Sequence, residues 1–183
     1  RGSLKLRGRI MSYVDQLGRL GCFMPRVANL FLESSSLRHI VSRFLGLSPE
    51  RTLPPYARKR FDHWFAKRPA PPAGQRGRVI LWDDTFARYH EPENAIAAVA
   101  VLEAAGFEVT LAAQRKCCGR PAFSMGNLDE AARLGQHNLA LLNQDDGNTP
   151  IIFLEPSCYS MFKEDYRELK LPGEPPIISE NNI

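Results

Sequence analysis

Cysteine is scarce: four in 183 residues. That is too few, in a chain this long, for a disulfide-stapled scaffold. Two of them, Cys117 and Cys118, are adjacent, and adjacent cysteines bridge each other only with strain. Reduced thiols and a cytoplasmic setting are therefore expected. Long apolar runs are missing as well. Nothing approaches the roughly 18–20 apolar residues that a spanning helix needs, so no membrane span is predicted. The basic stretch over residues 1–9 has no apolar segment after it, and no signal peptide is read there. No Gly-x-Gly-x-x-Gly follows a candidate strand, no P-loop is present, and no Cys-x-x-Cys zinc ribbon occurs. These absences set aside three common nucleotide- and zinc-binding designs.

Acidic residues are scarce in the first part of the chain. Residues 1–77 carry 15 Lys/Arg against 4 Asp/Glu, whereas residues 78–183 carry 9 against 16. Such asymmetry predicts two regions with different neighbours. No nucleic-acid recognition motif accompanies the basic half, so no nucleic-acid partner is read from it. Its expected role is a helical face against an acidic partner domain, or peripheral contact with the inner face of a membrane. Hydrophobic residues make up 44% of the chain, enough for the core of one domain with a helical extension.

Residues 7–65 read as helices. Ile10, Val14, Leu17 and Leu20 recur at helical spacing. Further helices are expected over 25–33, 36–45 and 55–65, with Ser36 as a cap and Pro25 and Pro55 in first turns. Residues 68–76 have linker composition. The expected organisation is a helical extension over 1–67, a linker over 68–77, an α/β domain over 78–171 and an extended tail over 172–183. Within the α/β part, 79–82, 107–111 and 150–154 read as strands, and 92–105, 127–143 and 157–169 as helices. Gly106 suits the end of the first of these helices, and Glu130 the capping-box position after Asn127. The order β-α-β-α-β-α predicts an α/β fold. It is a three-layer unit with a parallel sheet and right-handed crossovers, preceded by an all-helical segment.

Ligand sites in open parallel sheets lie at the carboxyl ends of the strands. Three loops leave that edge, at 83–91, 115–121 and 155–158. The topology thereby gathers Cys117, Cys118 and Cys158, although they are distant in sequence. Thiolates suit soft metals and iron–sulfur clusters. Arg115, Lys116 and Arg120 flank the pair and are expected to favour thiolate. Gly119 permits a sharp turn beside the pair, and Cys158 opens a helix whose dipole favours an anion. Three cysteines leave a four-ligand site one short. Glu155, His90, Asp84 and Thr85 are the candidates to complete it. Glu155 equally suits the acceptance of backbone hydrogen bonds at a helix start, and a lone loop histidine is more often structural. His90 is also the one plausible base for a cysteine nucleophile, which is not a catalytic set. Asp83 and Asp84 read as a charge cluster or a hydrogen-bonding pair. Cys22, Trp64 and Trp82 read as core. Buried structural cysteine, a zinc ion, or a thiol–disulfide reaction among the three cysteines stand as alternatives.

Cys117-Cys118-Gly119-Arg120-Pro121, then Met125-Gly126-Asn127-Leu128-Asp129-Glu130-Ala131, then Glu155-Pro156-Ser157-Cys158, resembles the cysteine-rich CCG domain. That domain occurs in heterodisulfide reductase, in the iron–sulfur subunits of glycolate oxidase and anaerobic glycerol-3-phosphate dehydrogenase, and in lactate-utilisation proteins. Its pattern is a Cys, a Cys-Cys pair and a Cys-x-x-Cys. The spacing aligns Thr85 with the first cysteine and Glu155 with the fourth. Cys117, Cys118 and Cys158 carry over as ligands; Thr85 and Glu155 do not carry over as thiolates. Trp82-Asp83-Asp84-Thr85-Phe86 and His90-Glu91-Pro92-Glu93 are similar to one branch, the C-terminal part of large fused FAD/iron–sulfur oxidoreductases resembling D-lactate and D-2-hydroxyglutarate dehydrogenases. The resemblance covers 78–170 well and the helices loosely. It implies a fragment of such an enzyme, inactive alone, with an iron–sulfur cluster of the 4Fe-4S kind at the cysteines and FAD elsewhere in the parent. The implied partners are the FAD and ferredoxin-like domains of the same parent chain and a quinone or carrier as electron acceptor. A structural or docking module that has lost its cluster, or holds zinc, is the alternative.

Overall fold

The computed structural model describes residues 4–46, 48, 50, 52–69, 74–143, 149–169 and 171. Among these, five helices precede the sheet: α1 (Leu6–Ser12), α2 (Val14–Gly21), α3 (Pro25–Glu33), α4 (Ser35–Leu45) and α5 (Phe61–Lys67). The spacing of Ile10, Val14 and Leu17 suggested one continuous first helix. The chain instead breaks at Tyr13, whose φ of −115° and ψ of 30° leave the helical region. Pro25 lies in the first turn of α3 as expected. The cap of α4 is Ser34, not Ser36; its hydroxyl accepts from the Leu37 amide at 3.5 Å.

The helix expected over 55–65 forms only from Phe61. Tertiary partners hold the preceding residues extended. The Tyr56 amide donates to Asn29 Oδ1 at 2.8 Å, and the Ala57 amide donates to the Tyr89 carbonyl at 2.7 Å. These bonds replace the i to i−4 bonds that a helix would supply.

Three parallel strands follow, β1 (Arg78–Trp82), β2 (Glu108–Leu111) and β3 (Ile151–Phe153), in the order β2-β1-β3. The register pairs Val79 with Val109 and Leu81 with Ile152. Helices α6 (Thr85–Tyr89) and α7 (Pro92–Ala104) connect β1 to β2. Helices α8 (Arg120–Ser124) and α9 (Leu128–Leu142) connect β2 to β3. After β3 come α10 (Pro156–Ser160), a π turn over Met161–Asp165, and α11 (Tyr166–Glu168). The α/β expectation therefore holds, with the short helices α6 and α8 unforeseen and the last helix interrupted by the π turn. Asn127 precedes α9, but its side chain makes no capping bond.

Alternation along β1 builds the layers. Val79 and Leu81 pack with Phe61, Ala95, Val99 and Val109 on one side. Ile80 and Trp82 pack with Leu134, Leu139, Met161 and Phe162 on the other. Period-two alternation in one strand thus supplies both cores. Trp82 is core, as expected; Trp64 is only partly buried, at the rim of its cluster. Cys22 also departs from the expected core position. It is half-buried, and its thiol donates to the Tyr89 carbonyl at 3.3 Å.

Because β1 is flanked by β2 and β3, the connections leave it toward opposite sides. The carboxyl edge between β1 and β3 is therefore a topological switch point, where such sheets open a crevice. Helix α2 docks beside that edge. A Cβ on Gly18 would meet the Tyr89 ring at 2.5 Å, so glycine is what lets α2 and α6 approach. No helix is long and apolar enough to cross a membrane among the described residues. The expected tail over 172–183 and the linker positions 70–73 lie outside them.

Candidate functional site

The loop from β2 to α8 carries Cys117 and Cys118, and the first turn of α10 carries Cys158. Their residual exposures are 9%, 3% and 5%. All three sit in one apolar cluster with Ala122, Met161 and Phe162. The Cys118 and Cys158 sulfurs lie 3.1 Å apart, in hydrogen-bonding contact, and Cys117 precedes Cys118 in the same loop. The Gly119 amide favours the thiolate form of Cys117 and the Arg120 amide that of Cys118, each against larger opposing effects. Gly119 adopts φ 91°, and a Cβ there would lie 3.2 Å from the Ala131 carbonyl. Glycine alone serves at this turn.

Two side chains not singled out in the sequence analysis clamp the loop. Asn138, fully buried on α9, accepts from the Lys116 amide at 3.0 Å and donates to the Cys117 carbonyl at 3.0 Å. The Tyr166 hydroxyl donates to the Cys118 carbonyl at 2.7 Å. A buried asparagine between Leu134 and Leu139 on an apolar helix face is the signal that marks such a clamp.

Cys117 and Cys118 are held as neutral thiols. Donation toward Cys118, then burial, push the Cys117 thiol well above its ordinary range. For Cys118 the bond to Cys117 favours the thiolate, but the bond to Cys158 and burial outweigh it and the thiol is pushed up. This overturns the expectation that flanking cations produce thiolates. Arg115 turns to Asp15 and Asp83, and Arg120 pairs with Asp165. Their charge is spent on carboxylates.

The remaining candidates are distributed along the same edge. Thr85 is buried, begins α6, and donates to Asp15 Oδ1 at 3.0 Å. Asp84 caps α6, accepting from the Phe86 and Ala87 amides at 2.7 and 3.1 Å. Burial pushes its carboxyl up, against those amides. Glu155 caps α10 by accepting from the Ser157 amide at 3.2 Å. His90 points elsewhere: its Nδ1 lies 3.0 Å from the Pro55 carbonyl, beside the Tyr56 ring.

A charge network unforeseen in its extent supports the edge. Fully buried Asp83 accepts from Arg88 at 2.6 and 2.8 Å and from Arg115 Nε at 3.4 Å. Arg115 Nη1 reaches Asp15 of α2 at 2.7 Å. Burial works against the Arg115 charge, but Asp83 and Asp15 outweigh it and hold the guanidinium protonated.

The donor type suits a soft metal or an iron–sulfur cluster, with three thiol ligands. Among the described residues, no group of three or more His, Cys, Asp or Glu side chains is arranged as a ready metal site. Two thiolates on one tetrahedral ion, at about 2.3 Å each, sit about 3.8 Å apart. Loading therefore requires the three thiols to lose their protons and Cys118 and Cys158 to separate by about 0.7 Å. Thr85 donates to Asp15 and Glu155 accepts from the Ser157 amide, so each of these two candidates is engaged in another bond.

A family model for the cysteine-rich CCG domain matches residues 84–163. Residues 84–163 are therefore similar to the cysteine-rich CCG domain. The match takes in Thr85, both members of the pair, Glu155 and Cys158. An uncharacterised iron–sulfur protein of Methanocaldococcus jannaschii is 36% identical over 100 residues, covering 55% of this chain and 20% of that protein. Lactate utilization protein A of Macrococcus caseolyticus is 29% identical over 86 residues, covering 47% and 34%. Lactate utilization protein A of an Exiguobacterium species is 33% identical over 78 residues, covering 43% and 31%. The chain spans between a fifth and about a third of the length of these curated relatives. No solved structure matches the chain. The chain is thus similar over part of its length to proteins named for iron–sulfur content and for lactate utilisation.

Proposed function

We propose that the CCG domain is an electron-transfer or metal-binding module of a larger FAD-linked iron–sulfur oxidoreductase that acts on a D-2-hydroxy acid. The convergence of three buried thiols at the switch-point edge carries this reading. The relatives named for iron–sulfur content and lactate utilisation support it, as does the small share of their length that this chain spans. FAD and ferredoxin-like domains belong to other parts of the larger protein, and a quinone or carrier takes the electrons.

Cys117, Cys118 and Cys158 hold the cluster. When bound, it supplies one-electron transfer. The chain's own residues shape its surroundings. Met161 and Phe162 exclude water. The Gly119 and Arg120 amides favour the thiolate that a ligand must become. Asn138 and Tyr166 fix the loop carbonyls, so the backbone is held while the sulfurs move apart to receive a metal.

A second reading has a specific observation behind it. Thr85 and Glu155 occupy the positions of missing thiols and are already bonded to Asp15 and to the α10 amides. A docking module that has lost its cluster, or a three-thiol zinc site, fits that engagement. Anaerobic reconstitution with iron and sulfide separates the two readings. The cluster reading predicts a charge-transfer absorption that Cys118→Ala abolishes. Uptake of zinc alone, or of no metal, supports the second.

A further inference from the structure

We propose that Cys118 and Cys158 form a reversible two-electron dithiol–disulfide couple, which operates when no metal occupies the three-cysteine centre. This goes beyond the electron-transfer reading and does not require it.

The sulfurs already lie 3.1 Å apart, although 40 positions separate the residues in sequence. A disulfide bond is about 2.05 Å long, so closure needs roughly 1 Å of sulfur travel, within reach of side-chain rotation. Both thiols are buried, which keeps the pair from competing partners. Cys22, the remaining cysteine, instead bonds the Tyr89 carbonyl. Cys117 is the nearest rival, but a bridge between adjacent residues strains the backbone. The Tyr166 and Asn138 bonds to the Cys118 and Cys117 carbonyls hold the unstrained loop in place. Thr85 and Glu155 matter here as well. A hydroxyl and a carboxylate where the family carries thiols leave Cys118 and Cys158 without those two alternative bridges.

The chemistry balances with a low-molecular-weight disulfide as oxidant. One protein thiolate attacks a sulfur of R–S–S–R, forming a mixed disulfide and releasing one R–S⁻. The second protein thiolate displaces the other R–S⁻ and closes the Cys118–Cys158 bond. Two electrons pass from the cysteines to the reagent sulfurs, and the two cysteine protons end on two R–SH. A dithiol reductant reverses each step.

The test uses the full chain, reduced, stripped of metal with a chelator, and equilibrated anaerobically in dithiothreitol buffers of graded oxidised-to-reduced ratio. Remaining thiols are alkylated and peptides are mapped by mass. The expected result is one reversible bridge between Cys118 and Cys158, with Cys117 and Cys22 alkylated at every ratio. It persists in Cys117→Ser and is lost in Cys158→Ser. Alkylation of all four thiols at every ratio overturns the proposal, as does a bridge between Cys117 and Cys118. The wild-type map decides even where a variant does not fold. Iron and sulfide content, measured on untreated protein, reports separately on the cluster reading, so either can fail alone.

Discussion

Arg115 sits between Asp15 of α2 and Asp83, which follows β1, carboxylates 68 positions apart in sequence. Its Nη1 bonds Asp15 of α2 at 2.7 Å, and its Nε lies 3.4 Å from Asp83 at the end of β1. Arg115 also stands two residues before Cys117. One buried guanidinium therefore ties the basic helices to the strand edge that bears the thiols. Removing it costs Asp15 its cation, while Asp83 keeps the two bonds from Arg88. Arg115→Ala is expected to lower unfolding free energy by about 2–3 kcal/mol, through the lost charge-assisted hydrogen bonds at a buried site. Asp15→Asn keeps the shape of a partly exposed partner and costs about 1 kcal/mol or less. Denaturant unfolding of both variants checks the ranking; equal effects would contradict it.

The clamp on the cysteine loop should be separable from the thiols themselves. Asn138→Ala removes an acceptor for the Lys116 amide and a donor to the Cys117 carbonyl. A loss of about 1–3 kcal/mol is expected, since buried groups are left unpaired. Tyr166→Phe removes one donor to the Cys118 carbonyl and should cost about 1 kcal/mol. Both variants should expose Cys117 and Cys118 to faster alkylation than in the wild type. Unchanged thiol reactivity would contradict a clamping role for these two side chains.

Thr85 and Glu155 define the shortfall of the site. Thr85→Cys and Glu155→Cys restore thiols where the CCG family carries them. The double variant is expected to take up more iron and sulfide on reconstitution than the wild type. Glu155→Cys also loses the cap on α10, at about 1 kcal/mol. Identical loading in both proteins would show that these positions do not face the centre.

The raised thiols give the metal-free protein a pH signature. Folding favours the protonated form of Cys117 and Cys118, whose thiols ordinarily ionise near 9.0. The unfolded chain therefore holds fewer protons above that value. The stabilisation from these groups is fully present below pH 9 and is lost as pH rises through the folded-state values. Denaturation midpoints of metal-free protein should fall above pH 9, and Cys118→Ala should flatten the slope. A midpoint that rises with pH in this range would contradict neutral buried thiols.

Much of this was legible in the sequence. The apolar run at Val79–Trp82 and the alternation at 107–111 marked strands, because burial on a pleated sheet imposes those patterns directly. From β-α order followed the parallel sheet, and from that the gathering of Cys117, Cys118 and Cys158 at one edge. What escaped depends on partners distant in sequence. Residues 55–60 are extended because Asn29 and Tyr89 bind their backbone, which no local window reveals. The flanking cations left the thiols neutral because Asp15, Asp83 and Asp165 claimed them. Asn138 and Tyr166 looked like ordinary helix residues until the fold brought them to the loop.

Iron and acid-labile sulfide analysis of anaerobically purified chain, beside Cys118→Ala, decides whether the three cysteines hold a cluster. A cluster at Cys117, Cys118 and Cys158 gives iron and sulfide together in the wild type and loss of both in the variant. Zinc alone, or no metal in either protein, would contradict it.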